Sequence, residues 1–247
     1  MRESEGVFVA EGVRVVSEAL ASEAHVESLY FAAGSRALSG MAGIATLASE
    51  KGARVFDLAP GVMERVADTV TPQDVIAVVK KNEASLGSLK PATMVLVMAG
   101  VSDPGNAGTM LRMALGAGAD AAVVCSGSVD PYNPKVIRSS AGAIFHLPVV
   151  ADVSAPEVLS WAAEARLCVV GTAVRGARDY ASLDWTRPFA LFMGNEGHGV
   201  DADLVGHFDE VVSIPVSEQS ESLNVAMAAS VICFEAARQR RLAGIGS

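Results

Sequence analysis

The sequence predicts an α/β protein in two parts, a small α/β domain followed by a larger one on a largely parallel sheet. Short Val-rich runs alternate with helical patterns along the chain, and strands separated by helices pair side by side in one direction. A polar stretch without periodicity, Lys80 to Ser88, interrupts that alternation. Apolar residues make up 51% of the 247 positions and aromatics only 5%, so the expected cores consist of small side chains, Ala and Val above all.

The first part, residues 1–80, reads in order as the run VFVAEG, the helical pattern VRVVSEALAS, the run VESLYFA, a Gly/Ala segment, and the runs ARVFDLA and DVIAVVKK. Residues 81–90 are the expected linker and 91–247 the second domain. There MVLVMAG is a buried strand, SDPGN a loop, and a helix opens near Asn106 and ends at Gly116 or Gly118. Further strands are expected at AAVVC, LCVVGTA, FALFMG and EVVSIPV. The last helix, from about Ser222 to Arg241, is apolar on more than one face, as expected of a helix that a second chain covers.

A net charge of −9 argues against broad, nonspecific attraction to nucleic acid and leaves only a local basic patch for such a role. Cys125, Cys168 and Cys233 are widely spaced, which suggests neither a disulfide framework nor a zinc site. The first residues lack a basic and then apolar secretory pattern, and no apolar run reaches the ~18 residues of a membrane helix. A cytoplasmic protein without a metal is expected.

Three segments carry the candidate chemistry. In PGNAGTMLRMALGAGAD, Asn106 reads as a helix N-cap, with Gly105 and Gly108 letting backbone amides approach a ligand. Arg112 is a cation among large apolar side chains, either snorkelling to solvent or serving a phosphate or oxyanion. In FMGNEGHGV a strand ends in a glycine-rich turn with one carboxylate, Glu196, at the sheet edge where α/β proteins bind ligands. No Lys-Ser/Thr follows, so this is no P-loop, and His198 has no partner at metal-ligand spacing. In the third segment, IPVSEQSESLNVAMAASVICFEAARQR, Ser220 and Ser222 offer capping oxygens to the last helix, with Asn224 in its first turn.

In order and spacing these segments resemble the three motifs of the SpoU/TrmH family of RNA 2′-O-ribose methyltransferases, within the SPOUT superfamily. Asn106 and Arg112 match the first motif, Gly194, Glu196 and Gly197 the second, and Ile214, Pro215, Ser222, Leu223 and Asn224 the third. The resemblance covers residues 91–247, while FVAEGVRVVSEAL is similar to the ribosomal-protein-like α/β domain with which many members bind RNA.

The resemblance implies a C-terminal trefoil knot that binds S-adenosylmethionine through Thr172, Ala173, Met193, Gly194, Asn195, Gly197, Ile214, Val216, Ser222, Leu223 and Asn224. It further implies a homodimer through the last helix, an rRNA or tRNA substrate, and a catalytic set of Asn106, Arg112, Glu196, Ser222 and Asn224. In that set Arg112 orients a phosphate and stabilises the incipient alkoxide, and Glu196 and Asn106 hold Arg112 and the ribose. Lys135, Arg138, Arg175 and Arg178 are the candidate RNA patch. A base methyltransferase, or a noncatalytic RNA- or ribosome-binding protein that retains the pocket, remains the alternative.

Overall fold

The computed structural model describes residues 6–66, 71–82, 84–89, 92–217, 219 and 221–245. The first part is a four-stranded sheet in the order β1-β4-β2-β3, comprising β1 (Val7–Glu11), β2 (Val26–Phe31), β3 (Arg54–Asp57) and β4 (Val75–Lys80). The β1–β4 and β4–β2 pairs are antiparallel and the β2–β3 pair is parallel. Helices α1 (Val13–Ala21) and α2 (Met41–Glu50) interleave with these strands, and a short α3 (Met63–Val66) precedes β4. The Gly/Ala segment of the sequence is therefore α2, whose Met41, Ala45 and Ala48 are buried.

The second part is a seven-stranded, wholly parallel sheet in the order β7-β6-β5-β10-β8-β11-β9. Its strands are β5 (Met94–Met98), β6 (Ala121–Cys125), β7 (Val149–Val153), β8 (Cys168–Thr172), β9 (Arg178–Asp179), β10 (Phe189–Met193) and β11 (Glu210–Ser213). The helices between them are α4 (Pro104–Ala117), α5 (Pro134–Ser139), α6 (Ala155–Glu164), α7 (Ala202–Val205) and α8 (Val225–Leu242). β7 and β9, which the apolar runs did not reveal, are the two edge strands, where one flank lacks a neighbour and a continuous apolar run is not needed.

All five residues of β5, β6 and β10 are buried because both faces of the sheet are covered. On one face Met94, Leu96 and Met98 join Leu111, Ala229 and Cys233 of α4 and α8. On the other, Val95, Val97 and Phe192 pack with Val158 and Trp161 of α6. That second core also takes Leu89 and, less deeply, Ala84 and Leu86, so the chain between the sheets is packed onto the larger one.

The two sheets meet at an aromatic joint. The ring of Phe8 in β1 lies 4.9 Å from that of Tyr132, just before α5, and 6.0 Å from that of Phe145. The Tyr132 hydroxyl donates to the Asn82 carbonyl and accepts from the Asn82 N–H, both at 3.2 Å, and Lys81 Nζ sits 5.2 Å above the ring.

Candidate functional site

Strand order reverses between β5 and β10, so the loops leaving their C-terminal ends open a crevice at the topological switch point. The loop after β5 carries the first motif. Asp103 caps α4, its Oδ1 accepting from Asn106 N at 2.8 Å, and Pro104 takes the first helical position. This corrects the cap expected at Asn106: the Asp-Pro pair starts the helix earlier and leaves the Asn106 side chain free for tertiary contacts.

Gly108 does not face a ligand. A Cβ there would meet the Ser139 hydroxyl and lie 2.6 Å from the Val136 carbonyl, so glycine is what lets α5 cross α4 closely. A Cβ on Gly105 would come 2.9 Å from the Asp103 carboxylate of the cap itself.

The loop after β10 is a tight hairpin. Asn195 and Gly199 exchange backbone hydrogen bonds of 2.8 and 2.9 Å. Asn195 Oδ1 accepts from Gly197 N at 2.9 Å, and its Nδ2 donates to the Gly100 carbonyl at 3.1 Å across the crevice. A Cβ on Gly194 would collide with the Gly199 carbonyl group and Val200 N, so what it would displace first is the hairpin's own backbone.

Glu196 is thereby aimed at the first motif. Its Oε2 accepts from Ser102 N (3.3 Å) and Ser102 Oγ (3.0 Å), and its Oε1 from Asp103 N and Asn106 Nδ2 (both 3.1 Å). Burial pushes this carboxyl up, but the hydrogen bonds from Asn106 and the surrounding backbone outweigh it and hold it at about 2. Glu196 thus carries its charge at neutral pH and clamps two loops.

The third motif completes the arrangement. Asn224 is the N-cap of α8, its Oδ1 accepting from Ala226 N at 2.9 Å and Met227 N at 3.3 Å, while its Nδ2 donates to Asn106 Oδ1 at 2.9 Å. The helix therefore begins at Val225, later than expected, because one amide serves both cap and tertiary bond. Ser222 is exposed and borders the cavity below; Ser220 lies outside the described residues. Glu196, Asn106 and Asn224 form one hydrogen-bonded chain across the three motifs.

Beside this chain lies a cavity of about 520 Å³. Its lining includes Thr172, Ala173, Met193, Gly194, Asn195, Gly197, Ile214, Val216, Ser222 and Leu223, so ten of the eleven residues expected to hold a cofactor face one space. The eleventh, Asn224, lies between the lining residues Leu223 and Val225. Apolar walls come also from Phe208, Val211 and Ile232, and a further carboxylate from Glu221. The sequence reading missed Glu221, Phe208 and Ser102. Ser102 and Asp103 were findable from the Asp-Pro helix start, whereas Phe208 has no local signal, since it is its ring's position against Gly171 that matters.

Arg112 is exposed on α4, makes no hydrogen bond or ion pair among the described residues, and does not line the cavity. The expected grip of Glu196 and Asn106 on Arg112 is absent; both are occupied by the loops and by Asn224. Of the basic residues, Lys135 approaches Asp103 at 3.7 Å, and Arg138 buries an unpartnered Nη1. Arg178 is committed to Glu210 at 3.2 Å and to the Ser182 carbonyl at 2.7 Å. Arg175 is exposed near β9, at the opposite edge of the sheet from the strands that flank α5.

Comparison with known proteins agrees with this geometry. Residues 93–234 match the SpoU rRNA Methylase family, and residues 1–77 match the MRM3-like substrate binding domain. The chain is 36% identical to the 23S rRNA (guanosine(2553)-2′-O)-methyltransferase RlmP of Bacillus subtilis (strain 168), over 94% of this chain and 89% of that protein. It is 34% identical to the 23S rRNA (uridine(2479)-2′-O)-methyltransferase of Streptomyces viridochromogenes, over 95% and 84%. Its fold matches the SpoU methyltransferase AviRb of Streptomyces viridochromogenes in complex with AdoMet at a TM-score of 0.86 and 32% identity, covering 97% of this chain and 92% of that one. An AdoMet-bound rRNA methyltransferase from Sinorhizobium meliloti aligns at 0.84 and 27% identity, over 98% and 89%. The match across residues 93–234 and the full-length relatives, together with three motifs joined at one cavity, place the chain in the SpoU rRNA methylase family.

Proposed function

We propose that the protein transfers a methyl group from S-adenosylmethionine to a ribose 2′-oxygen of ribosomal RNA. The observation that carries this reading is the Glu196–Asn106–Asn224 chain, which holds the three motif loops together at the rim of the cavity. The cavity suits the cofactor: apolar walls for the adenosine, backbone and side-chain polar groups for its edges, and carboxylates compatible with a cation. When bound, the cofactor supplies an activated methyl group on a sulfonium.

The protein's own contribution is positioning and charge stabilisation. Glu196, fixed as an anion, keeps the loop after β5 in place, and Asn106 and Asn224 present a rigid amide platform to the ribose. Arg112, exposed and without a partner among the described residues, is available to an RNA phosphate and to the incipient alkoxide. Arg112 serves there as a cation with a fork of N–H donors, which suits a phosphate and a developing negative charge. Ser222 shapes the pocket edge. Residues 1–80 are the RNA-holding domain, 81–90 the connection and 91–247 the methyltransferase domain, a division supported by the two family matches. Lys135, Arg138, Arg175 and Arg178 remain the candidate RNA contacts.

The C-terminal segment is read as a trefoil knot, supported by likeness to SpoU structures. The protein is read as a homodimer through α8, supported by the exposed Met227 (63%), Val231 (38%) and Phe234 (46%) on one face of that helix. No helix among the described residues is long and apolar enough to cross a membrane, and a ribosomal substrate implies action in the cytoplasm.

The test is transfer of labelled methyl to total rRNA and total tRNA from a strain lacking the gene, followed by mapping of the modified nucleotide. Ribose label in rRNA is expected. Label on a base, or in tRNA alone, overturns the reading. No transfer to naked RNA or to assembled subunits favours the noncatalytic alternative.

A further inference from the structure

The charge of the cavity is unbalanced. Its lining holds two carboxylates, Glu196 and Glu221, and no lysine or arginine among the described residues. The two carboxylates differ in what they are doing. Glu196 is saturated by Ser102, Asp103 and Asn106. Glu221 sits next to Ser222 in the third motif and has neither hydrogen-bond nor ion-pair partner among the described residues. The described lysines and arginines stand outside the lining, Arg112 on α4 and Lys135 beside Asp103 among them. His198 is the remaining titratable side chain of the lining.

Methyl transfer changes the charge of what this cavity holds. With its ammonium and carboxylate cancelling, S-adenosylmethionine is a net monocation because of the sulfonium. The product, S-adenosylhomocysteine, has a neutral thioether and no net charge. The two are otherwise nearly the same shape, so packing against Ile214, Leu223 and Ile232 cannot tell them apart. A fixed negative potential can.

We propose that Glu221, acting with Glu196 in the same lining, makes the cavity select the methyl-loaded cation over its neutral product, so that the spent cofactor leaves. The proposal rests on the methyltransferase reading above and adds a specificity residue to it. Glu221 touches no reacting atom in this account; it sets the ligand preference through charge. Because it is exposed, its effect is modest and salt-dependent.

The experiment is calorimetric titration of the full-length protein with S-adenosylmethionine and, separately, S-adenosylhomocysteine, for wild type, Glu221→Gln and Glu221→Asp. Glu221→Gln is expected to weaken S-adenosylmethionine about three- to tenfold and to leave S-adenosylhomocysteine within about twofold. Glu221→Asp should retain most of the preference. In wild type the preference should shrink between about 0.05 M and about 1 M salt, where the screening length falls to about 3 Å.

Equal losses for both ligands would mean that Glu221 packs and does not discriminate, and would overturn the proposal. So would a wild-type preference that salt leaves unchanged, an arm that needs no variant to fold. A preference left unchanged by Glu221→Gln, with both ligands still bound, also overturns the proposal but leaves the methyltransferase reading intact. Wild-type protein that binds neither ligand overturns both.

Discussion

The two sheets are buried in different ways. In the first, β1 alternates half-buried and buried positions and β3 is largely exposed, while β5, β6 and β10 of the second are buried at every position. The second sheet ends in loops tied together by Glu196, Asn106, Asn195 and Asn224. The first is joined to it through a few side chains, Phe8, Tyr132 and the Glu18–His146 pair at 3.2 Å among them. The contrast teaches where precision is built in. Chemistry on a ribose needs rigid loops on a doubly covered sheet, whereas holding RNA tolerates a domain attached by a small joint.

The largest expected effect comes from breaking the rigid side. Gly194→Val forces a branched side chain into the Gly199–Val200 backbone, so it should abolish cofactor binding and lower Tm by about 4–8 °C. Native-like melting with lost binding would instead locate the clash in the ligand's space. Next, Arg112→Ala should cut methyl transfer about 10²- to 10³-fold, with S-adenosylmethionine affinity within a few fold, because the side chain stands outside the cavity. Loss of affinity together with rate would show that Arg112 supports the pocket.

Glu196→Gln probes the clamp itself. The folded carboxyl titrates at about 2, below its ordinary 4.5, so its contribution to stability is complete above about pH 4.5 and is lost as pH falls towards 2. Urea midpoints of wild type and Glu196→Gln should therefore differ at pH 7 and converge near pH 2. Parallel curves across that window would mean that the clamp does not carry the charge assigned to it. The smallest effect is expected at the joint. Tyr132→Ala removes the Phe8 contact and both Asn82 hydrogen bonds, so KM for RNA should rise a few fold while cofactor affinity holds. A changed cofactor affinity would show that the joint reaches the site.

Much of this was legible in the residues themselves. The buried runs MVLVM, AAVVC and FALFM announced a doubly covered parallel sheet, and they are β5, β6 and β10. The family resemblance named ten residues that share one cavity, eight of them in the second and third motifs and two, Thr172 and Ala173, at the end of β8. The caps were read a few residues out: Asn106, and Ser220 and Ser222, were credited with roles that belong to Asp103 and Asn224. A cap is decided by which nearby side chain has no better partner, and that depends on tertiary contacts.

Local pattern, then, determined the family and every strand of the large sheet but the two at its edges, since hydrophobic period and motif spacing act within a few residues of chain. Tertiary structure alone decided that Asn106 lies between Glu196 and Asn224, 90 and 118 residues away along the chain. It also decided that Gly108 serves a helix crossing, that Arg112 stands free of the clamp, and that Glu221 faces the cavity without a counterion among the described residues. These are matters of which groups meet across the sheet, and sequence distance carries no information about such meetings.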